Sequence, residues 1–125
     1  MISLDTNYLL RFLTNDIKSQ SMVAKRLIKS AREIYIPVVA FAEAVYFLRN
    51  YYKRTKKQVC SELSLLIKQS NIKAENFVAP AIQIYKSEAI SFYDSLIIAQ
   101  SLITGCEVRT FDKKFSKVFN KYLQD

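Results

Sequence analysis

Four acidic side chains, each preceded by apolar or aromatic residues, are the residues of this sequence best suited to chemistry. Their apolar neighbours predict that the carboxylates are partly buried. Several ionised carboxylates in a partly dry site repel one another, so protons or cations must offset that repulsion. Oxygen ligands without histidine or cysteine favour Mg²⁺ or Mn²⁺. The four residues are Asp5, Glu43, Asp94 and Asp112.

Histidine is absent from the chain. Its absence excludes a Ser–His–Asp triad, a Cys–His pair and a zinc site with histidine ligands. The two cysteines, Cys60 and Cys106, form no CxxC pair and are too few for a four-thiolate zinc site. We interpret them as reduced thiols rather than a disulfide. Hydrolysis by this chain would therefore rest on carboxylates, Lys, Tyr or a bound metal.

The chain carries a formal net charge of +8, from 19 Lys and Arg against 11 Asp and Glu. A surplus of this size favours a polyanionic partner, most often nucleic acid. Charge alone does not separate this from an ordinary protein with solvated lysine-rich faces. An acidic metal pocket on a basic protein, however, is typical of phosphodiester cleavage. There the metal activates water and neutralises charge on the phosphate, while Lys and Arg hold the backbone.

The length of 125 residues predicts a single domain, 1–125, which can bury a core without disulfides. Met1 to Leu4 lead directly into a polar stretch, so no signal peptide is predicted. No apolar run approaches the roughly 18 residues of a membrane span. We therefore expect a cytoplasmic protein that does not enter the membrane.

Short apolar segments alternate with helical ones, which predicts a parallel sheet covered by helices. The predicted fold class is α/β, a three-layer sandwich with a central parallel sheet of four to five short strands. The predicted strands are Ile2–Leu4, Ile34–Ile36, Phe77–Ala79 and Glu107–Thr110.

Helices are predicted where apolar residues recur at helical spacing. Thr55 to Gln58 match a capping box, and Pro37 and Pro80 fit first helical turns. Gly105, the only glycine, suits a left-handed cap after residue 104. The predicted helices cover residues 6–13, 19–31, 37–52, 91–104 and 113–122, and two more start near residues 55 and 80.

The four acids are all predicted at one edge of this sheet, outside the carboxyl ends of the strands, where ligands bind in α/β folds. Asp5 and Asp112 come one and two residues after predicted strands. Glu43 lies in the second turn of a helix that begins at that edge. Asp94 starts a crossover helix that runs antiparallel to the strands, so its first turn also lies over that edge.

Each acid also has an ordinary structural interpretation when taken alone. Asp5 and Asp112 are suited to capping the helices that follow them, and Asp94 suits the positive end of a helix. Glu43 is the hardest to explain structurally, because it lies on an apolar helix. The convergence of all four leads us to favour a metal site.

The chain resembles the PIN-domain nucleases at these residues, and most of all the virulence-associated protein C toxins of bacterial and archaeal toxin–antitoxin pairs. The resemblance covers nearly the whole chain in the order of the family's segments. It implies a five-stranded parallel sheet, Mg²⁺ or Mn²⁺ at the four acids, and endonucleolytic cleavage of RNA. The matching segments are Leu4–Asn7, Arg11–Asp16, Val39–Glu43, Phe92–Leu96 and Thr110–Phe115.

By position, the resemblance implies that Asp5, Asp94 and Asp112 are direct metal ligands. Glu43 would bind a second metal or orient the attacking water. The resemblance also implies a homodimer, and inhibition by an antitoxin that inserts a basic or aromatic side chain near the acids. Residues that would position carboxylates or water are Thr6, Asn7 and Thr110.

Basic side chains that lie near the acids in sequence, or cluster together, are candidates for RNA binding. The chain departs from the family at its C-terminus, because only ten residues follow Phe115 where the family usually has a final strand. The sheet is therefore expected either to end at four strands or to add a fifth, short strand as a stub at Lys121–Gln124. The basic candidates are Arg11, Lys53, Arg54, Lys113 and Lys114.

Two other functions fit parts of the pattern. A non-catalytic RNA-binding module of the same fold would explain the charge, but such a module is expected to lack one of the acids. A Mg²⁺-dependent phosphatase or phosphotransferase would use Asp5 as a nucleophile. Such enzymes generally have a second Asp two residues later, and this chain has Asn7 there.

Overall fold

The computed structural model describes residues 1–123. The chain divides into two compact units, Met1–Glu75 and Asn76–Asp125. The first unit holds a sheet and helices, and the described part of the second unit holds helices alone. The single domain expected from chain length stays a prediction.

A parallel sheet of three two-residue strands organises the first unit. Backbone hydrogen bonds continue the pairing one residue further, where the Leu4 N–H donates to the Tyr35 carbonyl at 3.2 Å and the Ile36 N–H to the Lys73 carbonyl at 2.9 Å. The first two predicted strands are thereby confirmed. The strands, in order across the sheet, are β1 (Ile2–Ser3), β2 (Ile34–Tyr35) and β3 (Ile72–Lys73).

The helices of the first unit begin where the sequence places helix-starting residues. Asp5 caps the first helix, and Thr55 and Gln58 form both hydrogen bonds of the predicted capping box. Pro37 immediately precedes the third helix. The helices are α1 (Thr6–Leu13), α2 (Lys18–Ser30), α3 (Val38–Asn50) and α4 (Lys56–Ile67).

Helix α3 presents one buried and one exposed face. Phe41 and Leu48 are fully buried at 0% exposure, and α3 packs against both α1 and α4. Glu43 and Phe47, on the opposite side of the helix, are exposed. The same apolar periodicity that fixes the helix in the core therefore directs the Glu43 carboxylate to the surface.

The second unit consists, in its described part, of three helices. Helix α6 packs against both of the others, and its ends match the sequence prediction. The Ser91 hydroxyl accepts a hydrogen bond from the Asp94 N–H at its start. Gly105, in the left-handed conformation with φ 74°, ends it. The helices are α5 (Val78–Ser87), α6 (Phe92–Thr104) and α7 (Lys113–Leu123).

Two predicted strands are wrong, and the alternative of a fifth strand at the C-terminus is not seen among the described residues. Residues Phe77–Ala79 start helix α5, since Val78, Ala81 and Ile82 are buried at helical spacing. Glu107–Thr110 forms no strand in the described chain, and most of this segment is exposed. The C-terminal stub fails because helix α7 continues through residue 123, and Gln124 lies outside the described residues.

Among residues 1–123 the sheet thus has three strands rather than the four to five predicted, and β3 at Ile72–Lys73 was not predicted. The α/β class with a parallel sheet is confirmed. Among residues 1–123, no helix is both long enough and apolar enough to cross a bilayer.

Candidate active site

Two of the four predicted acids, Asp5 and Glu43, line one surface cavity of the first unit. Asp5 lies between β1 and α1, and Glu43 lies on the exposed face of α3. Thr6, Asn7 and Phe47 complete the wall of this cavity, which has a volume of about 370 Å³. We call it the acidic pocket. The packing of α1 against α3 brings the two carboxylates, 38 positions apart in sequence, to the same place.

The Glu43 carboxylate is held by a short hydrogen bond. The Thr6 hydroxyl donates to Glu43 Oε1 at 2.6 Å, a distance typical of a charge-assisted O–H···O⁻ bond. Glu43 Oε2 has no hydrogen-bond partner among residues 1–123. Thr6 thus fixes the orientation of the carboxylate while one of its oxygens stays available to a ligand.

Asp5 and Asp112 each cap a helix. Asp5 Oδ1 accepts a hydrogen bond from the Tyr8 N–H at 2.8 Å. Asp112 Oδ1 accepts from the N–H groups of Lys114 and Phe115 at 2.9 and 3.1 Å. The interpretation of Asp5 and Asp112 as helix caps is therefore correct, but it accounts for only one oxygen of each carboxylate. Both carboxylates use Oδ1 for the cap, which leaves Oδ2 for a second role.

The surroundings of Asp112 and Asp94 differ from those of the acidic pocket. The Thr110 hydroxyl accepts a hydrogen bond from the Asp112 N–H at 3.0 Å, so it braces the backbone rather than the carboxylate. Asp94 lies in the first turn of α6. Its N–H donates to Ser91, and its carboxylate makes no hydrogen bond within residues 1–123.

The expectation of partly buried acids is correct only for Asp94. Asp5, Glu43 and Asp112 are exposed. Before Asp5 and Glu43 the apolar neighbours turn towards the core and the acid faces solvent, whereas Phe111, directly before Asp112, is itself fully exposed. Leu4 and Phe41, for example, are 3% and 0% exposed.

The acidic pocket suits a hard divalent cation. Mg²⁺ usually keeps several waters and binds through one or two carboxylates together with substrate phosphates. Asp5 and Glu43 would supply carboxylate oxygens of this kind. Within residues 1–123, no three Asp, Glu, Cys or His side chains lie close enough together to hold one ion. A single site formed by all four acids stays a prediction.

Two of the proposed RNA-binding cations have acidic partners within the fold. The Arg11 Nη1 atom lies 3.5 Å from Asp16 Oδ1, and Arg54 forms an ion pair with Glu62. Lys53 adopts a left-handed conformation with φ 56° in the turn after α3. Lys113 and Lys114 are exposed at the start of α7. RNA binding by these five residues stays a prediction.

Sequence reasoning missed a polar network at the far end of α3. The Tyr52 hydroxyl donates to Asp16 Oδ2 at 2.6 Å, and Thr14 donates to Asp16 Oδ1 at 2.8 Å. These bonds, with the Tyr52 bond the strongest cause, lower the pKa of Asp16 below its ordinary value of 3.8. Burial, followed by the bond to Asp16, raises the pKa of Tyr52. No sequence motif predicts the hydrogen bond between Tyr52 and Asp16, because the two residues lie 36 positions apart.

Comparison with known proteins identifies the family of the chain. The model of the PIN domain matches residues 2–120 of the chain. The chain is 25% identical over 121 residues to the VapC ribonuclease of Aquifex aeolicus (strain VF5), an alignment that covers 92% of this chain and 90% of that protein. No solved structure matches the chain significantly.

Proposed function

Because the chain belongs to the PIN-domain family, we propose that it is a Mg²⁺- or Mn²⁺-dependent endoribonuclease. The observation that carries this proposal is the acidic pocket, in which Asp5 and Glu43 share one cavity on a protein of net charge +8. A relative similar over most of its length is named a ribonuclease. Both points favour a phosphodiester of RNA as the substrate.

The proposed roles of the acids follow from their available oxygens. Asp5 would bind the cation through Oδ2, since Oδ1 is taken by the helix cap. Glu43, oriented by Thr6, would bind a cation or accept a hydrogen bond from water through Oε2. Asp94 and Asp112 are assigned as further ligands by the order of their segments in the sequence. The cation, when bound, would activate water and neutralise charge on the phosphate.

The basic surplus would supply affinity for RNA rather than chemistry. Phosphate contacts by Lys and Arg release counterions, which makes RNA binding depend steeply on salt. The acids would contribute little to this affinity, because they repel the phosphate when no metal is bound. A toxin of this kind would act on RNA in the cytoplasm as a homodimer, and a cognate antitoxin would inhibit it.

The test is RNA cleavage by the purified full chain with Mg²⁺, with Mn²⁺ and in excess EDTA. We expect cleavage only with a cation, and none by Asp5→Asn or Asp94→Asn protein prepared in the same way. The matched variants exclude a contaminating nuclease. Equal cleavage in excess EDTA would show that no divalent cation is needed. Salt-sensitive RNA binding without cleavage under any of these conditions would favour the non-catalytic binding module.

A further inference from the structure

A second cavity of the first unit adjoins the acidic pocket and is lined by aromatic rings. Its volume of about 480 Å³ falls in the range of roughly 300–1,000 Å³ typical of small-ligand sites. Asn7 and Phe47 line both cavities, so the two share a wall. Tyr51 and Tyr52 line only this second cavity. We call it the aromatic cavity.

Two rings of this cavity, Tyr51 and Phe47, are exposed and Tyr52 is half-buried, although the fold holds the backbone of all three firmly. Tyr51 is 72% exposed and Phe47 39% exposed. The N–H groups of Tyr51 and Tyr52 both donate to the Phe47 carbonyl, at 2.8 and 3.0 Å. The ring of Tyr52 meets that of Tyr51 edge to face at 4.9 Å, and its hydroxyl is fixed by Asp16. A rigid, exposed aromatic surface is typical of a binding site.

The turn that follows the rings is basic and well ordered. Lys53 reverses the chain in a left-handed conformation. The Arg54 N–H then donates to the Leu48 carbonyl at 2.9 Å, and Arg49 donates to the Arg54 carbonyl at 2.8 Å. Lys56 and Lys57 follow at the start of α4. Cations thus lie in sequence directly beside the exposed rings.

Exposed rings beside cations are the usual means of holding a single strand of nucleic acid, in which the bases stack on aromatic side chains and the backbone follows positive charge. We propose that Tyr51 and Phe47 form a stacking site for one nucleobase of single-stranded RNA. The amide of Asn7, without a hydrogen-bond partner among residues 1–123, is available to pair with the edge of that base. This inference rests on the proposed function for its choice of RNA as ligand.

Because the aromatic cavity shares residues with the acidic pocket, a base bound in it would affect where the RNA is cleaved. A base held between Tyr51 and Phe47 sets which phosphate reaches the acidic pocket, because Asn7 of α1 and Phe47 of α3 line both cavities. The aromatic cavity therefore selects the cleavage position by fixing a neighbouring base. Stacking is tolerant of base identity, so the hydrogen bond to the base edge supplies the discrimination.

The experiment measures binding of short fluorescent single-stranded RNA to the full chain in EDTA, so that no cleavage is required. Tyr51→Ala is expected to weaken binding about 5- to 100-fold, whereas Tyr51→Phe retains the ring and the affinity. Leu65→Ala is the control. It removes an apolar side chain that is 64% exposed on α4 and lies outside the aromatic cavity.

Base contact is then tested with RNAs that carry one abasic position each. At one RNA position, the abasic substitution and Tyr51→Ala should each weaken binding when made alone. When the abasic RNA is bound by the Tyr51→Ala protein, the loss of affinity should be no larger than that caused by either change alone. Unchanged affinity in Tyr51→Ala, or additive effects at every abasic position, would overturn the proposal. A Tyr51→Ala effect confined to self-association in sedimentation would also overturn it, in favour of a protein-docking surface. Failure of cleavage alone rejects the proposed function and leaves this result standing.

Discussion

The caps at Asp5 and Asp112 allow the structural and chemical roles of the two carboxylates to be separated by substitution. Asn accepts the same backbone hydrogen bonds as Asp and is an equally good N-cap, whereas Ala accepts none. Asn therefore removes the charge and keeps the cap, and Ala removes both. We expect both substitutions to abolish RNA cleavage, and Ala to destabilise the fold more than Asn, because Asn loses only the interaction of the charge with the helix dipole.

The magnitude follows from the hydrogen bonds lost. Asp5 accepts one backbone N–H and Asp112 accepts two. Loss of a cap costs about 1 kcal/mol, within a range of about 0.5–2 kcal/mol. For a domain of this length, about 1 kcal/mol corresponds to a fall in Tm of roughly 4 °C. Asp112→Ala should show the larger fall, since it leaves two N–H groups unpaired.

The assay is thermal unfolding by circular dichroism in EDTA, with cleavage measured separately in Mg²⁺. Asp94 provides the control, because its carboxylate makes no hydrogen bond within residues 1–123. Asp94→Asn and Asp94→Ala should consequently unfold at the same temperature and neither should cleave. If Asp5→Asn unfolds as early as Asp5→Ala, the fold needs the charge and our account of the cap is wrong. If the Asn variants still cleave RNA, the acids are helix caps only.

Two further predictions concern hydrogen bonds that cross the first unit. Thr6→Val should raise the Mg²⁺ concentration needed for half-maximal cleavage by about 10-fold. This is the low end for loss of a residue that orients a metal ligand, because Glu43 is exposed. Thr6→Ser should stay near wild type, and identical Mg²⁺ curves for all three proteins would show that Thr6 does not position Glu43. The lowered pKa of Asp16 means that its ionised form stabilises the fold above its ordinary pKa of 3.8, and that this stability is lost as the pH falls through the folded pKa. The difference in free energy of unfolding between wild type and Tyr52→Phe, measured with urea, should therefore be constant above about pH 5 and shrink below pH 3.8; a difference that persists to pH 2.5 would contradict this.

The helices were predictable because their signals are local. Helix α1 occupies Thr6–Leu13, as predicted, and α6 ends at Gly105 as predicted. The capping box at Thr55 forms with both of its hydrogen bonds. In each case the determining residues lie within a few positions of the helix end, so their spacing in the sequence is enough.

The strands were less predictable because two-residue strands carry almost no periodicity. Strand β3 at Ile72–Lys73 has a single buried residue and polar neighbours. Glu107–Thr110 has an apolar residue flanked by charge, yet it pairs with no strand in the described chain. Strand formation depends on a partner from elsewhere in the chain, and the sequence of one segment does not contain that partner.

The same distinction applies to the candidate site. The rule that ligands bind at the carboxyl ends of parallel strands predicted Asp5 and Glu43 at one edge of the sheet, and the two residues line one cavity. It could not show that Thr6 bonds to Glu43, or that Tyr52 bonds to Asp16, because these partners lie 37 and 36 residues apart. The aromatic cavity depends on the same kind of contact, and its rings are ordinary helix residues in the sequence alone.

Three of the acids lie at the starts of helices, and this position helps the fold to remain stable when no metal is bound. Asp5, Asp94 and Asp112 each lie at the N-terminus of a different helix, where the helix dipole favours negative charge by about 0.3–1 kcal/mol. Each carboxylate is thus stabilised by its own helix, independently of the others. The repulsion expected between gathered acids is offset locally, and three of the four are also solvated. The fold can therefore form before any cation binds, and loss of the cation should end cleavage without unfolding the protein.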